Sequence, residues 1–471
     1  MNSVTRKFRL LALLVVSFTV MALLAACGDN TATPVPATTA AATKAATTAA
    51  GATTAAATTA AGATTAAGAT TAAGATTAAG ATTAAAGATS GTIRIYSSLP
   101  LTGSSKAQAE TLVNAAKLAL DDFTGGTGKI GNFTIDYVAL DDATAAKGQW
   151  DADQEKANAN KALNDPDAMI YLGTFNSGAA KVSIPLLNPA NIAMISPANT
   201  YPGLTRAAKG VTEQGEPDVY YPAKTRNYFR VVTADDVQGP ADVEFIKSLN
   251  AKTVFVIDDS QAYGKGVADA VAATCTSAGL DCSNRASITG KETDYKSLAA
   301  TVKSKNPDAI FFGGITQQQA GKLVADIRAA GIKAPFIGPD GINEEAFIKD
   351  GGAAAEGVYS SIAGTPDDKL PAKGQDFLKR YKAKYGNVEA YTIYGYEMMS
   401  VALTAIKTAG VKDRKAILAA VAATKDFDGV LGKWSFDKNG DTTLTDFVID
   451  QVKDGKWVNF TVVKPKFTPG S

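Results

Sequence analysis

Between residues 92 and 313, short runs rich in β-branched and aromatic residues alternate with stretches of helical periodicity. This alternation restricts the fold more than any other feature of the chain. The strand-like runs fall at 92–96, 133–140, 168–173, 192–196, 228–232, 253–258 and 309–313. Helices are expected at 144–163, 237–249, 264–278, 294–304, 316–330, 371–385 and 392–409. Between the first two strands, Leu112, Ala116, Ala119 and Phe123 lie at i, i+4, i+7 and i+11, the stripe with which a helix packs onto a sheet. The pattern is that of α/β architecture, with parallel strands and helices covering them. So many βα units over about 375 residues exceed one comfortable sheet, and two lobes are expected. In open parallel sheets ligands bind beyond the carboxyl ends of the strands, where loops converge with helix N-termini, so those loops are where a site is sought.

The N-terminal region reads as an address. Arg6, Lys7 and Arg9 precede an apolar run at 10–24, which ends in Leu24-Ala25-Ala26-Cys27. This is the layout of a signal peptide over 1–26. The Leu-x-x-Cys spacing resembles the lipobox of bacterial lipoproteins, which implies a lipidated Cys27 and attachment to a membrane by acyl chains. An uncleaved anchor or a buried helix is the competing reading. From residue 31 to about 90 the composition collapses to Ala, Thr and Gly, with GATTAA recurring from Gly62, Gly68, Gly74 and Gly80. Without large apolar side chains such a segment builds no core and reads as a disordered linker over 27–91. As a flexible chain of roughly 60 residues it spans about 40–50 Å.

Several functions are disfavoured by composition. Lys and Arg (46) nearly cancel Asp and Glu (45), so no positive field exists to hold a nucleic-acid backbone. Histidine is absent, which removes the commonest general base and a common metal ligand. No catalytic group, metal or cofactor is expected, and the chain is read as a binder. Gly126-Thr-Gly128-Lys-Ile-Gly131 fits GxGxxG by letter, but it follows a helix and precedes a strand, so it reads as a helix-stop turn. The segment from Asp437 to Asp441 lacks the spacing of a calcium loop and reads as a polar hairpin turn. Asp141-Asp142 and Asp258-Asp259 read as strand-end polar residues. Cys275 and Cys282 flank a turn at Gly279 and are expected to pair in an oxidising compartment, two separate buried thiols being the alternative.

Taken in order, Leu101-Thr-Gly103, Met194-Ile-Ser-Pro197, Asp236-Val-Gln-Gly239, Gln261-Ala-Tyr263-Gly264, Gly338-Pro-Asp340-Gly341 and Phe436-Asp437 make the region from Thr92 to about Lys464 resemble the leucine/isoleucine/valine-binding protein family. These are the type I periplasmic binding proteins of branched-chain amino-acid ABC transporters. The resemblance implies two Rossmann-like lobes with parallel sheets, joined by a multi-strand hinge. The first lobe is expected at 92–233 plus 364–430 and the second at 234–363 plus 431–471. It also implies that Ser177 offers its hydroxyl and N–H to a ligand carboxylate, that Ala198 and Thr200 span both charged ends, and that Asp340 faces an ammonium. Tyr263 and Tyr391 match positions where aromatic rings close over the ligand. Helix capping, a turn aspartate and core aromatics are the ordinary alternatives for these residues. The family's pattern is broken at Gln108, where an aromatic is usual, and at Ile315, where a tyrosine is usual. The side-chain pocket is therefore altered.

A monomeric, extracytoplasmic lipoprotein that captures an amino acid and delivers it to an ABC permease is the function implied. A sensor ectodomain acting with a partner in trans is the rival reading, disfavoured by the lack of a membrane helix or signalling domain before Ser471. Amides, urea or aromatic acids are the rival ligands. The segment from Arg206 to Arg226, longer than the family norm, is either a flap near the cleft or a surface loop.

Overall fold

The computed structural model describes residues 87–465. The signal peptide, Cys27 and most of the linker lie outside these residues. Strand β1 (Gly91–Leu99) leads into helix α1 (Lys106–Thr124), followed by β2 (Lys129–Ile130) and β3 (Phe133–Asp141). A small hairpin of β4 (Ala143–Thr144) and β5 (Gln149–Trp150) precedes α2 (Ala152–Asn164), β6 (Ala168–Gly173), α3 (Ser177–Leu187), β7 (Ala193–Ser196) and β8 (Tyr228–Arg230). These strands form a six-stranded sheet in the order β2-β3-β1-β6-β7-β8, parallel except for the short edge strand β2.

The second lobe repeats the plan. It contains α4 (Asp235–Ser248), β9 (Thr253–Asp258), α5 (Ala262–Ala278), β10 (Asp281–Ser287), α6 (Lys296–Lys305), β11 (Ala309–Gly313), α7 (Ala320–Ala329), β12 (Phe336–Gly338), α8 (Glu345–Gly351) and β13 (Tyr359–Ala363). The chain then returns to the first lobe as α9 (Ala372–Tyr385), α10 (Thr392–Ala409), α11 (Arg414–Ala422) and the hairpin of β14 (Phe427–Gly429) and β15 (Gly432–Trp434). It finishes on the second sheet with β16 (Phe447–Lys453) and β17 (Lys456–Val463). That sheet runs β10-β9-β11-β12-β13-β16-β17, its last two strands antiparallel. The crossings after β8, β13 and β15 make the hinge.

Each sheet is buried on both faces, which is why its central strands read as continuous apolar runs. On one face of the first sheet, Ile93 and Ile95 of β1 pack with Leu112 and Ala116 of α1 and with Met398 and Ala402 of α10. On the other, Tyr171 and Met194 meet Ala180 and Ile184 of α3. The second sheet is covered by Val267 and Val271 of α5 on one side and by Leu323 and Ile327 of α7 on the other.

Local physics explains where expectation and structure differ. The helix expected from residue 144 begins at Ala152, because the left-handed Gly148 (φ 64°) turns the β4–β5 hairpin first and the Asp151 carboxylate then caps the N–H groups of Asp153 and Gln154. Phe123 is 36% exposed, at the helix's last turn, so it falls off the packing stripe; the Lys407 ammonium lies 5.9 Å from its ring. The helix expected at 316–330 opens as a single 3₁₀ turn and becomes α-helical only at Ala320. Trp434 and Phe436 pack in the same apolar core as β1, α1 and α10. The Gly126–Gly131 segment is a helix stop: Gly125 caps α1 in the left-handed region, and the turn delivers the chain to β2 and β3. Cys275 and Cys282 are disulfide-bonded, joining the end of α5 to β10.

Candidate functional site

Loops at the carboxyl ends of the strands meet between the lobes, held in place by a half-buried carboxylate in the first lobe and a buried one in the second. In the first lobe, Asp141 accepts hydrogen bonds from the Leu101 N–H (2.8 Å) and the Thr102 hydroxyl (2.6 Å). In the second, Asp259 accepts from the N–H groups of Gln261 (2.9 Å) and Ile315 (3.1 Å), and burial lifts its pKa to about 7. Both aspartates therefore brace loops at the carboxyl ends of their sheets. Gly103 (φ 90°) lies where an added Cβ would sit 1.9 Å from the Gly148 carbonyl oxygen, so only glycine lets the loop after β1 rest on the β4–β5 hairpin.

Six of the expected residues share one cavity: Ser177, Ala198, Tyr263, Ile315, Asp340 and Tyr391. The walls come together so closely that only about 20 Å³ is open to the centre of a water molecule. Ser177 is the first residue of α3. The N–H groups of Ala179 and Ala180 donate to the Asn176 carbonyl, which leaves those of Ser177 and Gly178 as the helix's outward donors. Its hydroxyl accepts the Tyr201 N–H at 3.3 Å. A helix start of this kind favours an anion.

Asp340 faces this from the second lobe. It is not an exposed turn residue: it is 5% exposed, accepts from Gln238 Nε2 at 2.7 Å, and takes the Tyr391 hydroxyl across the hinge. Burial raises its pKa, and the bonds from Tyr391 and Gln238 partly oppose that. The Tyr263 hydroxyl accepts the Gly341 N–H at 3.0 Å, and burial followed by the Asp340 charge holds its pKa well above the ordinary phenol value.

Two expected residues stand apart from the cavity wall. Thr200 is buried, its carbonyl taking the Asp235 N–H at 2.8 Å, while its hydroxyl faces the Asp235 carboxylate short of a well-formed hydrogen bond. Gln108 is buried near the start of α1, and its side-chain amide has no hydrogen-bond partner among the described residues.

The sequence reading missed several members of the site. Phe175 and Asn176 line the same cavity, and Phe175 packs edge-on against Tyr391 with ring centroids 5.6 Å apart. Trp150 bounds an adjoining space with Gly178 and Gln261, so close that a Cβ on Gly178 would lie 2.5 Å from its ring. Asp235 is buried, and burial together with Asp340 drives its pKa well above the carboxylate range. The Arg206–Arg226 segment is more than a surface loop: Ala208 and Val211 pack on Ala270 of α5, so it straps the first lobe to the second. Nor is Asp441 an ordinary hairpin-turn residue. It is buried against Arg230 (2.5 Å) and Arg206, and Arg230 in turn donates to the carbonyls of Asn199 (3.2 Å) and Tyr201 (2.9 Å). Burial alone would raise its pKa, but the two guanidinium groups hold it below the usual value.

Direct bonds also link the lobes, through Ser105 and Gln149 on the first and Glu344, Gln317 and Gln318 on the second. Ser105 Oγ donates to Glu344 (3.0 Å), Gln317 Nε2 reaches Glu344 (3.2 Å) and also bonds to Ser105, and Gln318 Nε2 donates to Gln149 (3.0 Å).

Residues 92–456 match the model of a family described as periplasmic binding protein. The chain belongs to that family. Among curated relatives, a Leu/Ile/Val-binding protein of Rhizobium johnstonii is 29% identical over 365 residues, covering 76% of this chain and 91% of the relative. A leucine binding protein from Thermotoga maritima superposes with a TM-score of 0.69 at 25% identity, over 79% of this chain and 99% of that one. A branched-chain amino acid transporter substrate binding protein from Streptococcus pneumoniae, solved with isoleucine, gives 0.67 at 27% identity over 79% of this chain and 100% of that one. The two-lobed α/β architecture of this periplasmic binding protein is thus that of the type I members. Among the described residues no helix is long and apolar enough to cross a membrane, and no group of His, Cys, Asp or Glu could hold a metal.

Proposed function

We propose that the protein is an extracytoplasmic solute-binding lipoprotein that captures an α-amino acid, branched-chain or related, between its lobes and presents it to an ABC permease. The observation that carries this reading is the opposition of two chemistries across one cavity. On one wall a helix start with Ser177 offers N–H and hydroxyl donors; on the other stands the buried Asp340 carboxylate. Asp235 adds a second buried carboxylate close enough to repel it. Such a pair is relieved by a cation, and an ammonium with a carboxylate one carbon away satisfies both walls at once.

Capture follows from hinge closure. Ser177 and Ala198 belong to the first lobe, Tyr263 and Asp340 to the second, so a ligand that touches both favours the closed arrangement. The space is so narrow in that arrangement that entry requires the lobes to part. Ala198 and Thr200 are assigned to both charged ends of the ligand, Tyr263 and Tyr391 to its cover, and Gln108 and Ile315 to the altered side-chain pocket. Cys27 would carry the lipid and the Ala/Thr/Gly segment would act as tether. Relatives with names of solute binders support the binding reading.

A thermal-shift screen against amino acids and related solutes tests the reading, because a ligand selective for the folded state raises its stability by mass action. Calorimetry on Asp340→Ala should show affinity for the selected amino acid reduced about 10-fold or more, since a charge-assisted bond is worth about 1.5–3 kcal/mol. Unchanged affinity would remove Asp340 from the site.

A further inference from the structure

The hinge holds a second cavity, far roomier than the first at about 460 Å³. Tyr391 lines the first cavity and Tyr394 the second, their ring centroids 5.6 Å apart on the opening turn of α10. The second cavity draws its walls from both lobes. Ile362, Val448 and Trp457 come from the second lobe's sheet, and Leu370, Leu378 and Ile393 from the segment that returns to the first. Four carboxylates also line it: the exposed Asp367 and Asp368, paired with Lys382 (3.6 Å) and Lys369 (3.2 Å), and the more buried Glu389 on the first-lobe side and Asp450 on β16.

Among the described residues, neither Glu389 nor Asp450 is answered by a cation. The Asn387 amide donates to Glu389 at 2.8 Å and the Asn343 amide to Asp450 at 3.1 Å. Burial, reinforced by the nearby Glu345, lifts Glu389 to about 7, and burial raises Asp450 as well. Apolar walls around carboxylates that lack a positive partner are complementary to an ammonium group on a compact apolar body.

We propose that this hinge cavity is a second ligand site, taking a small hydrophobic primary amine whose ammonium is held by Glu389 and Asp450 and whose apolar part lies against Ile362, Leu378 and Ile393. Because both lobes supply its walls, the occupant prefers one interlobe arrangement and so biases closure over the first cavity. The site is chemically distinct from the first cavity: an amine without a carboxylate finds no use for the α3 start, and the acid of that cavity, Asp340, is not part of this one.

The test is titration calorimetry with phenethylamine. The wild type should show one saturable site, retained in Asp340→Asn. The variant Glu389→Gln/Asp450→Asn, whose amides preserve shape, should bind about 10-fold more weakly or worse, the scale of a lost charge-assisted contact. Should that variant not fold, 2-phenylethanol on the wild type serves instead: the neutral isostere should bind at least about 10-fold more weakly than the amine. Absence of saturable amine binding to the wild type, equal affinity for amine and alcohol, or loss of amine binding in Asp340→Asn with retention in the Glu389/Asp450 variant would each overturn the proposal. Failure of amino acids to bind the first cavity would leave these outcomes unaffected.

Discussion

Replacing Asp441 by Asn should destabilise the protein through one identifiable residue, Arg230. Arg230 is fully buried, and its charge is answered by Asp441, itself 4% exposed. Removing one partner of a buried ion pair costs about 3–5 kcal/mol, because the other charge stays buried and unpaired. Arg206 adds little to that cost: it keeps Asp236 at 2.5 Å and its side chain is 23% exposed. For a body of roughly 380 residues, an unfolding entropy of about 2.1 cal/mol/K per residue converts this loss to a fall in Tm of about 4–6 °C. Burial alone would raise Asp441, yet its partners depress it, so its contribution is present above the ordinary carboxylate pKa and is lost as pH falls through the lower native value. The gap between wild type and variant should therefore be constant from pH 5 to 8 and should shrink below about pH 4. Scanning calorimetry measures the gap, and the double variant Arg230→Met/Asp441→Leu supplies the control, since an apolar pair of similar volume is often neutral. A loss below about 1 kcal/mol for Asp441→Asn, or a double variant as unstable as the single one, would refute the reasoning.

Three further outcomes follow from the same geometry. Glu344 is pushed up to about 7 by burial where it meets Ser105 and Gln317, so the stability it contributes is whole below about pH 4.5 and is lost as pH rises through 7. Urea melts at pH 5 and pH 8 should show the wild type losing up to a few kcal/mol relative to Glu344→Gln over that interval; parallel curves would contradict the assignment. Reducing the Cys275–Cys282 bridge, which closes a loop with a sequence separation of 7, should cost at most about 2.5 kcal/mol on the loop-entropy relation and leave ligand affinity within about twofold, as read by paired melts and titrations with and without reductant. Tyr391→Phe removes the hydroxyl bonded to Asp340 and should weaken amino-acid binding about 3- to 10-fold while leaving the melting temperature nearly unchanged, a pairing that a core role would reverse.

The strands at 253–258 and 309–313 were legible because central parallel strands are buried on both faces and consist almost wholly of apolar residues. Strand β10 was not legible: Asp281–Ser287 is a polar edge strand with alternating exposure, and its sequence reads as loop. Strand β12 is only three residues long, too short to carry a period. Asp340 was recognisable as a position, but its burial was not, because the groups that bury it stand 102 and 51 residues away at Gln238 and Tyr391. Pro-Asp-Gly by itself says turn. Trp150 had no local signature at all: it reaches the site only because Gly148 reverses the chain and Gly178 leaves room for the ring. Asp441 looked like part of a polar turn for a similar reason, since Arg230 and Arg206 are more than 200 residues earlier in the chain.

The account turns on a zwitterion being gripped at both ends. The most direct measurement compares leucine with 4-methylpentanoate, which keeps the carboxylate and the branched body and lacks only the ammonium, using calorimetry for affinity and small-angle scattering for shape. Leucine should bind one to one and contract the protein, and the amine-free acid should bind at least about 10-fold more weakly, as expected for loss of a charge-assisted contact to Asp340. Equal affinity for the two compounds, or binding without contraction, would contradict the claim.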